Sequence, residues 1–414
     1  MKLPTVIILA AGENSRFFPL NTQTHKGGVT LLGKPIVVRT LENLQDNGFD
    51  QVVLIVSPKD YGGKGLSGFL ADYNFKLRID YVLQPEALGM GDAVLHAREY
   101  CKDPFAVTFP SSVDVGTVIL QLVEESGNGG AIAVTYTQEP WLYGIVTLDG
   151  KRINGIVEKP KQGTENSNLM AQGMYYLSPN YIQVLEDEEK QEYSFEAALN
   201  KYFPKSPVHA VELADPLPSL KFPWHLFDFQ SHLFEEMPNY TSPYATVEKT
   251  AVIDSDNGPV YIENGAHVGH ASRIVGPCYI GKDVFIGDFS LIRGSSLEEG
   301  SSVGSHSEVA RSIILEHSSM HNGYLGDSIV GTGVTIGAGF ISSNKRIDRR
   351  NIFVDVKGKK TDTGRQALGT IIGDNARIGV RVSTMPGKFI GANATVYPSL
   401  TIFAHVPHDG TLRQ

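Results

Sequence analysis

From about residue 244 the sequence carries a six-residue period that few architectures can use. Aliphatic side chains recur at Ile262, Val268, Ile274, Ile280, Ile286 and Ile292, and a second register runs Ile372, Ile378, Thr384, Ile390, Val396 and Ile402, broken only by Thr384. One inward aliphatic residue per hexapeptide suits the short strands of a triangular coil, with glycine, Asn or Asp supplying the tight corner between faces. Each coil buries its inner face only against its neighbours, so such a solenoid needs several coils and an end cap. The segment from Ser342 to Leu368 interrupts the period and is expected to loop out.

Up to about residue 236 a different rhythm holds. Short apolar runs alternate with amphipathic segments: Thr5 to Ala10, Lys34 to Asn47, Gln51 to Ser57, Met90 to Tyr100, Phe105 to Phe109 and Val115 to Glu125. That alternation predicts βαβ units and a mostly parallel sheet covered by helices. The expected organisation is an α/β Rossmann-like domain over 1–236, a hinge over 237–243 in the polar run MPNYTS, and a β-helix over 244–414. The charge-rich run Glu186 to Tyr193 reads as a solvated helix start.

A chain of 414 residues with 41% apolar content can bury more than one core. A net charge of -9 argues against a nucleic-acid polymer or an anionic membrane surface as partner. Cys101 and Cys278 stand far apart, so neither a disulfide framework nor a zinc site is indicated, and a reducing cytoplasm fits best. The short apolar start, MKLPTVIILAAG, leads into a glycine turn and reads as a buried first strand rather than a signal peptide. No stretch approaches a membrane span.

The hexapeptide pattern resembles the left-handed parallel β-helix acyltransferases, which implies a homotrimer. The first half is similar to the sugar-1-phosphate nucleotidyltransferases. Its first strand ends in LAAGENSRFFPL, followed by Lys26 and LLGKP. The resemblance implies that Leu9, Ala10, Ala11 and Gly12 let backbone N–H groups approach a nucleoside triphosphate, and that Arg16 and Lys26 neutralise its phosphates. Gln84 of QPEALGMGDA corresponds to the residue that bonds a pyrimidine edge, and Gly89 to the residue that allows the base to stack. YGIV, IVEKP and QGMYYLS follow in family order, placing Gly144, Glu158 and Gly173 on the sugar-phosphate pocket and Lys159 on the phosphate. The implied reaction is attack of a sugar-1-phosphate oxygen on the α-phosphorus, with release of pyrophosphate.

That chemistry ordinarily uses Mg²⁺ held by two aspartates. Here Pro110 and Ser111 stand where a Gly-Asp pair is expected, and Ser219 aligns with the second aspartate; Asp114 and Asp215 lie nearby. His25 and Gly27 replace the prolines flanking Lys26, Glu13 and Asn14 enter the glycine-rich turn, and Met90 replaces a frequent Thr. No metal ligands are assigned, and nucleotide binding with weak or lost turnover is expected.

Within the solenoid, residues 317–344 resemble the acetyltransferase core of the bifunctional enzymes that make UDP-N-acetylglucosamine, especially the archaeal ones. His321 and Tyr324 match a general base and a substrate-binding tyrosine, Asn344 an asparagine that holds the amino sugar or donor, and Ala338 a position whose backbone meets acetyl-CoA. An ammonium group must lose a proton before it attacks a thioester, and imidazole titrates in the right range for that task. A lone histidine would be read as a solvated loop residue; Tyr324, the IGAG turn and Asn344 at family spacing favour catalysis. Arg311, Arg349 and Arg350 stand in or beside places where relatives carry lysines, Thr335 replaces a frequent Asn, Ala367 a frequent Lys, and Arg293 offers a further phosphate contact. Three readings stay open: a working bifunctional enzyme, an acetyltransferase with a binding-only nucleotide domain, and a regulatory or scaffold subunit that senses a sugar nucleotide and pairs with an active paralogue.

Overall fold

The structure, a computed structural model, describes residues 2–21, 25–63 and 65–413. It divides into two compact units: Met1–Glu13 with Ile36–Leu217, and Asn14–Pro35 with Pro218–Gln414.

The first unit is built on β1 (Thr5–Ala10), α1 (Ile36–Asp46), β2 (Gln51–Val56), β3 (Arg78–Leu83), α2 (Met90–His96), β4 (Phe105–Thr108) and α3 (Val115–Glu125). It continues through β5 (Gly130–Tyr136), β6 (Gly144–Asp149), β7 (Arg152–Glu158), β8 (Leu169–Leu177), α4 (Asn180–Glu186), α5 (Ser194–Tyr202) and β9 (Val208–Glu212). The nine-stranded sheet has the order β3-β2-β1-β4-β8-β5-β9-β7-β6. β1 pairs in parallel with β2 and β4, whereas β8 runs antiparallel to β4 and β5. β1 and β2 are almost wholly buried, as their unbroken aliphatic runs demand when both faces are covered. Helix α3 buries Val115, Val118, Ile119 and Leu122, a stripe at i, i+3, i+4 and i+7. The run Glu186 to Tyr193 is not a helix start: α4 ends at Glu186, α5 begins at Ser194, and the residues between them form a connector. Its Glu192 carbonyl lies against Gly89, so main-chain packing has overridden the charge pattern.

The second unit is a left-handed parallel β-helix with three sheets of eight, nine and eight strands among the described residues. All six residues of the first ladder are fully buried, and Thr384 is buried within the second. Corners take left-handed backbone at Asp283, Asn375 and Asn393, as the hexapeptide pattern predicts. Buried serines bond from coil to coil, as when Ser272 Oγ accepts from Ser290 N at 3.0 Å and donates to Gly287 O at 2.9 Å. The interruption between Ser342 and Leu368 holds a hairpin, Phe353–Val356 against Lys359–Asp362.

Two boundaries differ from the sequence reading. Strand Tyr240–Thr241, inside the span read as hinge, pairs with Val260–Ile262, because a coil strand needs only two residues in register. The segments 14–35 and 218–236 associate with the solenoid. Leu32 and Gly33 donate backbone N–H bonds to the two oxygens of Glu298 (2.9 and 2.8 Å), and His408 Nε2 meets Asn21 Oδ1 at 3.2 Å. Helix α6 (Leu226–Glu235) joins the same unit through the Asp228–Arg365 ion pair. Among the described residues no helix is long and apolar enough to cross a membrane.

Candidate functional site

In the first unit Leu9 and Ala10 remain inside the sheet, opposite Ile55 and Val56, so only Ala11 and Gly12 follow the strand. Gly12 is exposed, and a methyl group added there would meet nothing within 4 Å. Gln84 is buried, and its Nε2 donates to Asp92 Oδ2 (2.9 Å) and to Gly89 O (3.2 Å). Asp92 also pairs with Lys190 and His96, and its carboxyl lies below the usual range: burial opposes the shift, and the bonds from Gln84 and Lys190 outweigh it. The carboxylate accepts only, so it fixes the amide with its NH₂ group inward and leaves Oε1 as the acceptor.

Gly89 is tightly packed. Its φ is +98°, and a Cβ would lie 2.5 Å from the Glu192 carbonyl oxygen. The connector packed on it by itself requires glycine here. Gly173 sits where the register of β8 shifts between Ala171 and Tyr175, with φ +76°, and a Cβ there would press on the Phe109 ring at 2.7 Å.

Gly144 and Glu158 face each other across β6 and β7. Glu158 pairs with Lys159 at 2.7 Å, and the Lys159 ammonium stands 5.1 Å from the centre of the Tyr193 ring. The structure therefore brings together Gly144, Glu158 and Lys159. Sequence reasoning missed Glu196 beside them, whose carboxyl burial raises to about 7, with the charges of Glu158 and Glu192 adding to the rise.

Arg16 and Lys26 belong to the second unit. His25 Nδ1 accepts the Gly27 N–H at 3.1 Å and caps the short turn Lys26–Gly28, a task the proline of relatives could not perform. Lys26 Nζ donates to Leu220 O at 2.9 Å, and burial, helped by the Arg16 charge, lowers its pKa to about 8. Ser111 is buried after β4, Asp114 precedes α3, and the Ser219 carbonyl lies 2.6 Å from His225 Nδ1. Among the described residues no cluster of three or more His, Cys, Asp or Glu could hold a metal ion.

In the β-helix, His321 follows strand Ser319–Met320 at a coil corner, where its N–H donates to Ile336 O at 2.9 Å. The same corner one coil on carries the IGAG turn, whose Gly339 N–H donates to Asn322 Oδ1 at 2.8 Å. Stacked corners enclose an open cleft of about 830 Å³, and His321, His306 and Ala338 line it. Tyr324 lies on the following face, because three residues from His321 carry the chain round the corner. There Asn344 Nδ2 donates to Tyr324 Oη (3.1 Å) and to the Asp327 carboxylate. Asp327 in turn takes both Nε and Nη2 of Arg311 at 2.7 Å. Arg293 is bound to Glu308, which pairs across strands with Tyr324. The four expected residues thus form two groups, His321 with Ala338 and Tyr324 with Asn344; among the described residues no hydrogen bond joins them.

A nucleotidyltransferase-type sheet in one unit and a parallel β-helix with an acyltransferase-like corner in the other define a two-domain sugar-nucleotide enzyme class. Residues 5–215 match the nucleotidyl transferase family and residues 256–361 the GMPPB C-terminal domain. A "Bifunctional protein GlmU" of Methanococcus maripaludis is 32% identical over 97% of this chain and 95% of its own length. The protein of that name in Methanocaldococcus jannaschii is also 32% identical, over 96% and 94%. A "Bifunctional sugar-1-phosphate nucleotidylyltransferase/acetyltransferase" of Sulfurisphaera tokodaii is 30% identical over 95% and 96%. Among solved structures, a UDP-glucose pyrophosphorylase from Acinetobacter baumanii aligns with a TM-score of 0.48 at 22% identity, over 57% of this chain and 95% of that one. The chain belongs to the nucleotidyl transferase family, in its bifunctional GlmU-type branch.

Proposed function

We propose that the protein acts in amino-sugar nucleotide synthesis, moving an acetyl group from acetyl-CoA to the amine of glucosamine-1-phosphate at the β-helix. The observation that carries this reading is the 830 Å³ cleft with His321 and Ala338 in its wall. His321 takes a proton from the ammonium group, the freed amine attacks the thioester carbonyl, and collapse of the tetrahedral adduct expels CoA thiolate, which takes up a proton. Ala338 meets the acetyl donor through its backbone, while Tyr324 and Asn344, with the charge of Arg311 behind them, hold the sugar phosphate. In a homotrimer, the assembly this branch implies, the 342–368 loop reaches a neighbouring subunit.

The first half binds UTP or dTTP and a sugar-1-phosphate, with weak or no turnover. The donors that Mg²⁺ requires do not fit: Pro110, Ser111 and Ser219 occupy the carboxylate positions. No step is assigned to the metal.

Purified protein should release CoA thiol from acetyl-CoA in the presence of glucosamine-1-phosphate, and His321→Ala should abolish that release. Absence of thiol release from the unmutated protein sinks the acetyl reading. Pyrophosphate release from UTP or dTTP with a panel of sugar-1-phosphates should stay near background, and robust turnover refutes the loss.

A further inference from the structure

The second unit holds another pocket, of about 260 Å³, which shares no lining residue with the His321 cleft. Aromatic rings form one wall: Trp224 and Phe389 have centroids 6.3 Å apart, Phe389 and His405 5.0 Å, and Phe18 and His405 6.3 Å. Arg16 and Lys357 also line it, both exposed, the latter in the turn of the Phe353–Asp362 hairpin.

The two cations are the informative part. Within this unit Arg311 pairs with Asp327 and Arg293 with Glu308. Arg16 and Lys357 stand in no ion pair among the described residues. Asp355 is the one carboxylate of the lining, and its Oδ1 already accepts the Gly358 N–H at 2.8 Å. The pocket therefore carries a net positive charge beside an apolar face.

His405 adds a donor. Its Nδ1 accepts the Phe389 N–H at 3.0 Å, so in the neutral ring the proton sits on Nε2. Burial, and then the charge of Lys388, lower its pKa and keep the ring neutral.

Size narrows the ligand. The volume falls below the roughly 300–1,000 Å³ of drug-sized sites, so the pocket admits one small ring with one phosphate. We propose that it binds a monosaccharide phosphate. The phosphate lies between Arg16 and Lys357, the C–H face of the sugar rests on Trp224 and Phe389, and Asp355 and His405 take hydroxyl groups.

Trp224 reports occupancy directly. The chain has two tryptophans, and Trp141→Phe leaves Trp224 as the sole emitter. The probe is glucose 6-phosphate, which lacks the anomeric phosphate that the nucleotidyl reaction uses. The expected result is a saturable change of Trp224 emission, absent with glucose and at least about tenfold weaker in affinity in Lys357→Glu. A signal that does not saturate, or one that survives Lys357→Glu unchanged, overturns the site. Equal affinity for inorganic phosphate overturns the sugar contact and with it the proposal.

Discussion

Replacing Glu298 by glutamine sets the two forces that act on this buried carboxylate against each other. Its oxygens accept the Leu32 and Gly33 N–H groups at 2.9 and 2.8 Å, and so hold the turn that follows Lys26 onto the coil. Charge-assisted bonds of this kind are worth about 1.5–3 kcal/mol each. Burial opposes them and is the larger effect, raising the carboxyl from 4.5 to about 7; the Gly33 N–H lowers it and the Glu316 charge raises it further. A folded-state pKa above the unfolded one means that the contribution to stability is whole below about pH 4.5 and is lost as pH rises through 7. Integrated between about pH 5 and pH 8, that loss is about 2–3 kcal/mol. Glu298→Gln has no proton to lose, and its mismatch, an amide NH₂ facing a backbone donor, is a constant cost of about 1–3 kcal/mol. Urea unfolding of both proteins at the two pH values, followed by far-UV circular dichroism, gives the difference in which all other titrations cancel. The wild-type advantage should shrink by about 2–3 kcal/mol on going to the higher pH. A constant difference, or a wild-type advantage that grows with pH, would refute the argument and show that the two N–H bonds outweigh burial.

Asp327→Ala leaves Arg311 and Asn344 without their shared acceptor; acetyl transfer should fall at least about tenfold with a raised KM for glucosamine-1-phosphate, and an unchanged KM in the thiol assay contradicts the positioning role. Lys26, with its pKa lowered to about 8 by burial, is charged below that value, so calorimetric affinity for UTP should drop several-fold between about pH 7 and pH 9 and become flat in Lys26→Arg; a flat wild-type profile rules Lys26 out as a phosphate contact. Gly89→Ala sets a Cβ 2.5 Å from the Glu192 carbonyl at a φ of +98°, and should cost about 2 kcal/mol or more in a melt; a neutral result shows that the connector is not packed there.

What the sequence made legible follows from how locally each feature is determined. The hexapeptide ladder is local: a two-residue strand needs only its own inward aliphatic residue, and Ile262 through Ile292 are all buried as the period requires. β1 and α3 were legible for the same reason, since a continuous aliphatic run and an i, i+3, i+4, i+7 stripe specify their own burial. Gln84 could be identified by its motif, but not the Asp92 carboxylate that orients it, because a helix aspartate eight residues on carries no mark of facing inward. Asp327 was hidden differently. In a solenoid, aspartate is an ordinary corner residue, and Asp327 does take the left-handed corner conformation at φ +47°. Only the stacking of coils shows that the same side chain gathers Arg311 and Asn344 from positions sixteen or more residues away. The pocket of Arg16, Trp224, Lys357, Phe389 and His405 is the extreme case, assembled from five stretches of chain with no common motif. A catalytic motif can be read where its residues share one turn, whereas a cluster recruited across coils becomes visible only once the solenoid has set which corners lie above one another.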